Sequence, residues 1–268
     1  MCLLVLAWRS HPRYRLVVAA NRDEFHVRAA TPLGIWGDQP RILGGRDQQA
    51  GGTWFAVDQQ RRFGVITNFR EPARARPGAP SRGNLIPQFL ASTDSPQDYL
   101  SAQCTSADAY AGFSLLLADS EQLCYASNRG DRWQRELPAG MYGLSNHFLD
   151  TPWPKLLRVR AGLTRHLAAD DINIESLLVM LADDQPSPHG NVPDVEMPAD
   201  WARALSSPFV RHGSYGTRCS TVLLLEHSGA MQVVERRFDA GGAVVGEAVV
   251  ALLPGEWPGV EEIGVVRT

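Results

Sequence analysis

Cys2-Leu3-Leu4-Val5-Leu6-Ala7-Trp8, then a polar break at His11-Pro12, then Arg15-Leu16-Val17-Val18-Ala19-Ala20 running into Asn21-Arg22-Asp23-Glu24: this stretch decides how the chain folds. Two apolar runs on either side of a short polar turn read as an antiparallel hairpin. The polar tetrapeptide then closes the second, buried strand. An apolar amino-terminal run invites a signal-peptide reading, but no basic leader precedes it and no small-residue cleavage site follows. The first strand of a cytoplasmic protein is therefore expected.

Moving outward, Thr53 to Val57 and Phe63 to Phe69 flank Asp58 to Arg62 as a second hairpin, with Gly44-Gly45 and Gly51-Gly52 expected as turns ahead of it. A loop rich in Arg, Pro and Ala follows from Arg70 to Arg82. Helix-compatible spacing then covers Gly83 to Ala91 and Ser95 to Tyr110, the latter opened by Ser95-Pro96. Strands return at Phe113 to Ala118, Leu123 to Ala126 and Met141 to Leu144. Apolar residues at helical spacing mark Pro154 to Leu167 and Ile174 to Leu181. A proline-rich excursion from Asp183 to Asp200 reads as a lid or binding loop. Ser220 to Glu226, Met231 to Phe238 and Ala243 to Leu252 form a last strand group around Ser228-Gly229.

Strands in groups and helices in pairs do not make alternating β-α-β units, so a doubly wound parallel sheet is disfavoured. The pattern suits an α+β arrangement of two stacked antiparallel sheets flanked by helices, with residues 1–268 as a single domain. Of the 268 residues, 44% are hydrophobic and 21% charged, enough for a sizeable core, and the net charge of -3 argues against nucleic acid as a partner. No apolar run reaches the roughly 18 residues of a spanning helix, which excludes an integral membrane segment. Cys2, Cys104, Cys124 and Cys219 are scattered without a C-x-x-C pair, and the seven histidines show no ligand spacing, so neither disulfides nor a metal site are expected.

Cys2 carries the most chemistry. Removal of Met1 would leave a cysteine whose thiol and free α-amine share one residue. An α-amine has a pKa of about 8 and a thiol about 8.5, so the pair can attack a carbonyl without a histidine. Packing as a small core hydrophobe is the competing reading, since Leu3 to Leu6 follow directly.

Taken together, Met1-Cys2-Leu3-Leu4, Asn21-Arg22-Asp23-Glu24-Phe25, Gly51-Gly52-Thr53-Trp54, Thr67-Asn68-Phe69-Arg70, Ser81-Arg82-Gly83 and Tyr215-Gly216-Thr217-Arg218 resemble the NRDE family, also called Transport and Golgi Organization proteins. The resemblance implies an N-terminal-nucleophile-hydrolase-like fold, a four-layer αββα sandwich. It also implies links to haem trafficking and to acyl-lipid or acyl-CoA handling. More distantly, cysteine amidohydrolases of the bile-salt-hydrolase and penicillin-V-acylase type are similar. That likeness makes Cys2 a nucleophile, Asp23 the holder of its amine, Asn68 and Asn146 neighbours of the substrate carbonyl, and Arg218 their late arginine. One departure stands out: those enzymes carry an arginine three residues before the aspartate, where this chain has Ala20, so Arg22 substitutes from another direction or thiol activation is weaker.

Each of these residues also has a structural reading, as a strand-end or turn polar group that satisfies backbone. On an extended strand Arg22 and Glu24 face opposite Asn21 and Asp23, which suits an ion pair or backbone clamp. Trp54 and Trp153 read as core. Arg70, Arg74, Arg76 and Arg82 are candidates for docking a phosphate or carboxylate, or a solvated loop. His147 is a candidate ligand-binding residue for haem iron, or a hydrogen-bonded turn histidine. Two functions follow: a hydrolase of a nonpeptide amide or thioester, which requires no cofactor, or a non-catalytic carrier that uses the same cleft for haem or an acyl compound.

Overall fold

A computed structural model describes residues 2–71, 78–168, 172–187, 197–259 and 265–266, the last pair as backbone. Met1, Arg74, Arg76 and half of the proline-rich excursion, at 188–196, lie outside the described residues.

The opening hairpin forms as its sequence dictates. β1 (Cys2–Trp8) pairs antiparallel with β2 (Tyr14–Phe25), Cys2 opposite Arg22 and Leu3 opposite Asn21. Alternate side chains leave opposite faces of a strand, so two cores are seeded at once. Leu4, Leu6 and Trp8 enter the core between the sheets, whereas Leu3, Val5 and Ala7 join the core beneath a helical pair. This accounts for an almost continuous apolar run in an antiparallel strand, because both faces of β1 are covered.

Around the hairpin an eight-stranded antiparallel sheet assembles. β12 (Tyr215–Glu226) lies beside β2, followed by β13 (Met231–Phe238), β14 (Val244–Leu252) and the short β15 (Val265–Val266). β10 (Gly140–Leu144) flanks β1 on the other side, and β11 (Arg211–His212) adds to β12. The second sheet is a seven-stranded meander in chain order, from β3 (Ala30–Trp36), β4 (Gln39–Asp47), β5 (Phe55–Asp58) and β6 (Phe63–Asn68) to β7 (Phe113–Ala118), β8 (Leu123–Ser127) and β9 (Gln134–Glu136).

The helices form the two outer layers. α1 (Leu85–Ala91) and α2 (Pro96–Gln103) cover the meander, and Phe89, Leu90 and Tyr99 pack on Leu115 and Leu117. α3 (Pro154–Leu167) and α4 (Ile174–Leu181) cover the larger sheet through Leu156, Val159, Leu163, Leu177 and Leu181. Caps fix where the helices begin: Ser95 accepts from the Asp98 N–H, and Asn173 accepts from those of Glu175 and Ser176, each cap contributing about 1 kcal/mol. A further short helix, α5 (Ala199–Ala204), follows the proline-rich segment. The arrangement is the expected αββα sandwich. No helix among the described residues is long and apolar enough to cross a membrane.

One expectation is overturned. Gly44-Gly45 is not a turn but lies inside β4. A Cβ on Gly44 would meet the Phe55 carbonyl oxygen at 2.6 Å, and one on Gly45 would collide with the Trp54 ring, so these glycines admit close neighbours rather than a reversal. Gly51, at φ +75°, does occupy a turn.

Candidate active site

The amino-terminal end of β1 opens onto a cleft of about 480 Å³ between the two sheets, whose lining includes Cys2, Arg22, Trp54, Asn68 and Arg82. Residues directly opposite in an antiparallel ladder share a face. The Cys2, Arg22 and Cys219 side chains therefore form one row on the inner face of the large sheet. Arg22 is 6% exposed, lies 4.2 Å over the Trp54 ring and reaches Asp47 at 3.4 Å. Arg28 binds the same Asp47 oxygen at 2.6 Å.

The Cys2 nitrogen donates to Asn146 Oδ1 at 2.9 Å, and Asn146 Nδ2 donates to the Asn68 carbonyl at 3.0 Å. Asn146 follows β10 with φ +51°, a left-handed conformation that asparagine adopts more readily than most residues. Its backbone carbonyl accepts from the Arg70 N–H at 2.7 Å. The Asn68 side chain, at the exposed end of β6, lines the cleft.

Asp23 occupies the opposite parity from Cys2 and Arg22. It is 1% exposed, and its Oδ1 accepts from the Thr217 hydroxyl at 2.7 Å. Tyr215 donates its phenol to the Asp23 carbonyl at 2.9 Å. Burial raises the Asp23 carboxyl above its ordinary range, opposed by Lys155, the Thr217 hydroxyl and Arg22. Burial also raises the Cys2 thiol, with the Asp23 charge adding to it, while Arg22 and the Asp23 backbone N–H pull it down.

Five residues were named from sequence as catalytic. The structure gathers four of them, Cys2, Asp23, Asn68 and Asn146, around the start of β1 and does not bring Arg218 to that group. A bulge between Thr217 and Cys219 leaves Arg218 outside the ladder with β2, and its Nη1 donates to the carbonyls of Phe25, His26 and Arg28 at 3.0 to 3.3 Å. Of the motif residues, Asn21 points under the helices, donating to the Leu181 and Pro208 carbonyls at 2.9 and 3.0 Å, and Glu24 accepts from the Phe25 N–H at 2.9 Å. Arg22, turned to the inner face, combines the expected ion pair with a place beside the thiol.

The three arginine and histidine candidates for a ligand separate. Arg82 lines the cleft while donating to the Gly112 carbonyl at 2.7 Å. Arg70 lies 5.1 Å over the Trp153 ring, and burial lowers its pKa to about 10. His147 is packed by Phe69 and Phe148 with ring centroids at 4.7 and 4.8 Å, and its Nδ1 is 2.9 Å from the Thr151 hydroxyl. Among the described residues no group of His, Cys, Asp or Glu is placed to hold a metal ion.

Two site residues escaped the sequence reading. Thr217 is fixed by register, being opposite Asp23 across the β2–β12 ladder. Lys155, in the first turn of α3 and 3% exposed, acts electrostatically on Asp23 from the helical layer. Its signal was compositional, since it is the single lysine of the chain.

The family model described as Transport and Golgi organisation 2 matches residues 1–240. A Bos taurus protein titled Transport and Golgi organization protein 2 homolog is 34% identical over 263 residues, covering 88% of this chain and 92% of the relative. A Mus musculus homolog is 33% identical over 256 residues with the same coverage. Among solved structures, penicillin V acylase from Agrobacterium tumefaciens superposes with a TM-score of 0.51 over 100% of this chain and 98% of that one, at 11% identity, a likeness of fold.

Proposed function

Within the Transport and Golgi organisation 2 family, to which this chain belongs, we propose that the protein is an N-terminal-nucleophile cysteine hydrolase of a nonpeptide amide or thioester. One observation carries the reading: the Cys2 nitrogen is held by Asn146 while the Cys2 side chain shares the floor of a cleft with Arg22.

With Met1 removed, that nitrogen is an α-amine of pKa about 8, suited to take the thiol proton. The sulfur attacks the acyl carbon, and the Asn68 carboxamide, which faces the cleft, donates to the developing oxyanion. The α-ammonium returns its proton to the leaving amine or thiol. Water then adds to the thioester with the amine again as base, releasing the acid and restoring the thiol. Asn146 orients the amine in this scheme, since its two amide atoms are engaged by the Cys2 nitrogen and the Asn68 carbonyl. Arg22 supplies the cation that the missing arginine at position 20 would have supplied. A cytoplasmic, reducing setting keeps Cys2, Cys104, Cys124 and Cys219 as the free thiols they are here.

The test joins intact-mass analysis with turnover of short acyl amides and acyl thioesters. Loss of Met1 alone, together with turnover abolished by Cys2→Ala, is expected. A retained methionine would defeat the mechanism. Haem or an acyl compound co-purifying with a protein that turns nothing over, seen by Soret absorption or mass spectrometry, would favour the carrier reading instead.

A further inference from the structure

Lys155 is the only lysine in a chain whose 26 cationic side chains are otherwise arginine. Among the described residues it is also the cation least able to reach water, at 3% exposed, and its Nζ has no hydrogen-bond partner there. A buried ammonium without hydrogen bonds is expensive, and nothing in the packing of α3 asks for one, because its neighbours Leu156 and Val159 are apolar. A lysine serves in such a slot where a guanidinium would not. It delivers a compact charge on an apolar stem, whereas arginine would bring five N–H donors to satisfy.

The charged groups around it narrow what that charge acts on. From β2 comes Asp23, from β1 Cys2, and from the segment after β6 Arg70; Asp23 and Cys2 favour the ammonium, and Arg70 opposes it. β10 contributes no charged side chain. The first-turn acid of α4, Glu175, is bound to Arg236, and on α3 itself Arg158 and Arg160 pair with Asp183 and Asp150. Burial dominates and lowers Lys155 to about 8, so at neutral pH it is still mainly a cation. Among the described residues Asp23 is the carboxylate whose charge favours it, and it shares the helix-facing parity of β2, 1% exposed beneath the same helical layer.

We propose that Lys155 is a positioning residue that holds Asp23 in its carboxylate form beside the Cys2 nitrogen. Its catalytic value rests on the hydrolase reading, in which that nitrogen is the base; the pairing of the two charges does not.

The single lysine makes the test direct, because isotope-labelled lysine gives one side-chain resonance. Its titration midpoint should fall by about one pH unit or more in Asp23→Asn. Reciprocally, the carboxyl ¹³C midpoint of Asp23 should rise by a similar amount in Lys155→Met and return in Lys155→Arg, since the coupling acts equally on both partners. Either variant alone decides, should the other fail to fold. Midpoints unmoved by the partner's removal would overturn the proposal. Coupled midpoints in a protein without turnover would uphold the pair and defeat the hydrolase reading, whereas uncoupled midpoints in an active protein would do the reverse.

Discussion

The inner and outer faces of the large sheet handle polar groups differently at the end that carries Cys2. On the inner face, Cys2, Arg22 and Cys219 stand in one row, and the row opens to the cleft at Cys2 and Arg22. On the outer face, Asn21, Asp23, Thr217 and Ser220 are sealed beneath the helical layer, each within 3% of full burial. Asn21 spends its amide on Leu181 and Pro208 and accepts from Ser220 at 2.6 Å. A strand with period two thus supplies a cleft-facing side and a sealed side from consecutive residues. The motif Asn21-Arg22-Asp23-Glu24 is best understood as two interleaved sets rather than one cluster.

Four perturbations probe this division. The largest effect is expected from Cys2→Ala, on the inner face: turnover should drop by about three orders of magnitude or more, with the unfolding midpoint nearly unchanged. Comparable turnover in the variant would remove chemistry from the inner face altogether.

Next is the pH dependence that Lys155 confers on stability. Its folded pKa of about 8 lies below the ordinary 10.5, so it favours folding above 10.5, and that contribution is lost as pH falls through 8. Between those values the wild type should gain roughly 3 kcal/mol relative to Lys155→Met in denaturant unfolding. Parallel stability profiles would contradict the burial of the charge.

Asn21→Ala should cost about 2 kcal/mol of stability, because the Leu181 and Pro208 carbonyls lose their donor under the helices. Cys2 alkylation at neutral pH should be altered much less, which site-resolved mass spectrometry would show. The smallest effect is expected from Arg218→Ala, about 1 kcal/mol, with turnover within about twofold of wild type. A large kinetic loss there would return Arg218 to the catalytic group.

Most of the architecture was legible because pattern and packing agree. The first hairpin, α3 and α4 fall where their apolar periodicity puts them, and the strand alternation correctly separates Arg22 from Asn21 and Asp23. β4 was not legible, since Gly44 and Gly45 are also the residues of turns and only the nearness of Phe55 and Trp54 explains them. Short strands with little apolar content, such as β9 (Gln134–Glu136), give no periodic signal. At the site, the resemblance to cysteine amidohydrolases named Cys2, Asp23, Asn68 and Asn146, and the structure places them around the start of β1. The direction of Arg218 depended on a one-residue bulge, which a linear reading does not register. Lys155 acts from another layer of the fold, so only its rarity could have drawn notice.

The Asn146 carboxamide touches both sheets: its oxygen holds the first strand of one, and its nitrogen holds the β6 carbonyl of the other. It works as a gauge block between two plates. A hydrogen bond tolerates only a few tenths of an ångström before it weakens, so shear or spreading of the sandwich is felt at the Cys2 nitrogen before the distant core yields. Ligands that wedge the cleft open would accordingly shift the Cys2 nitrogen without contacting it, and those that draw the sheets together would fix it in place.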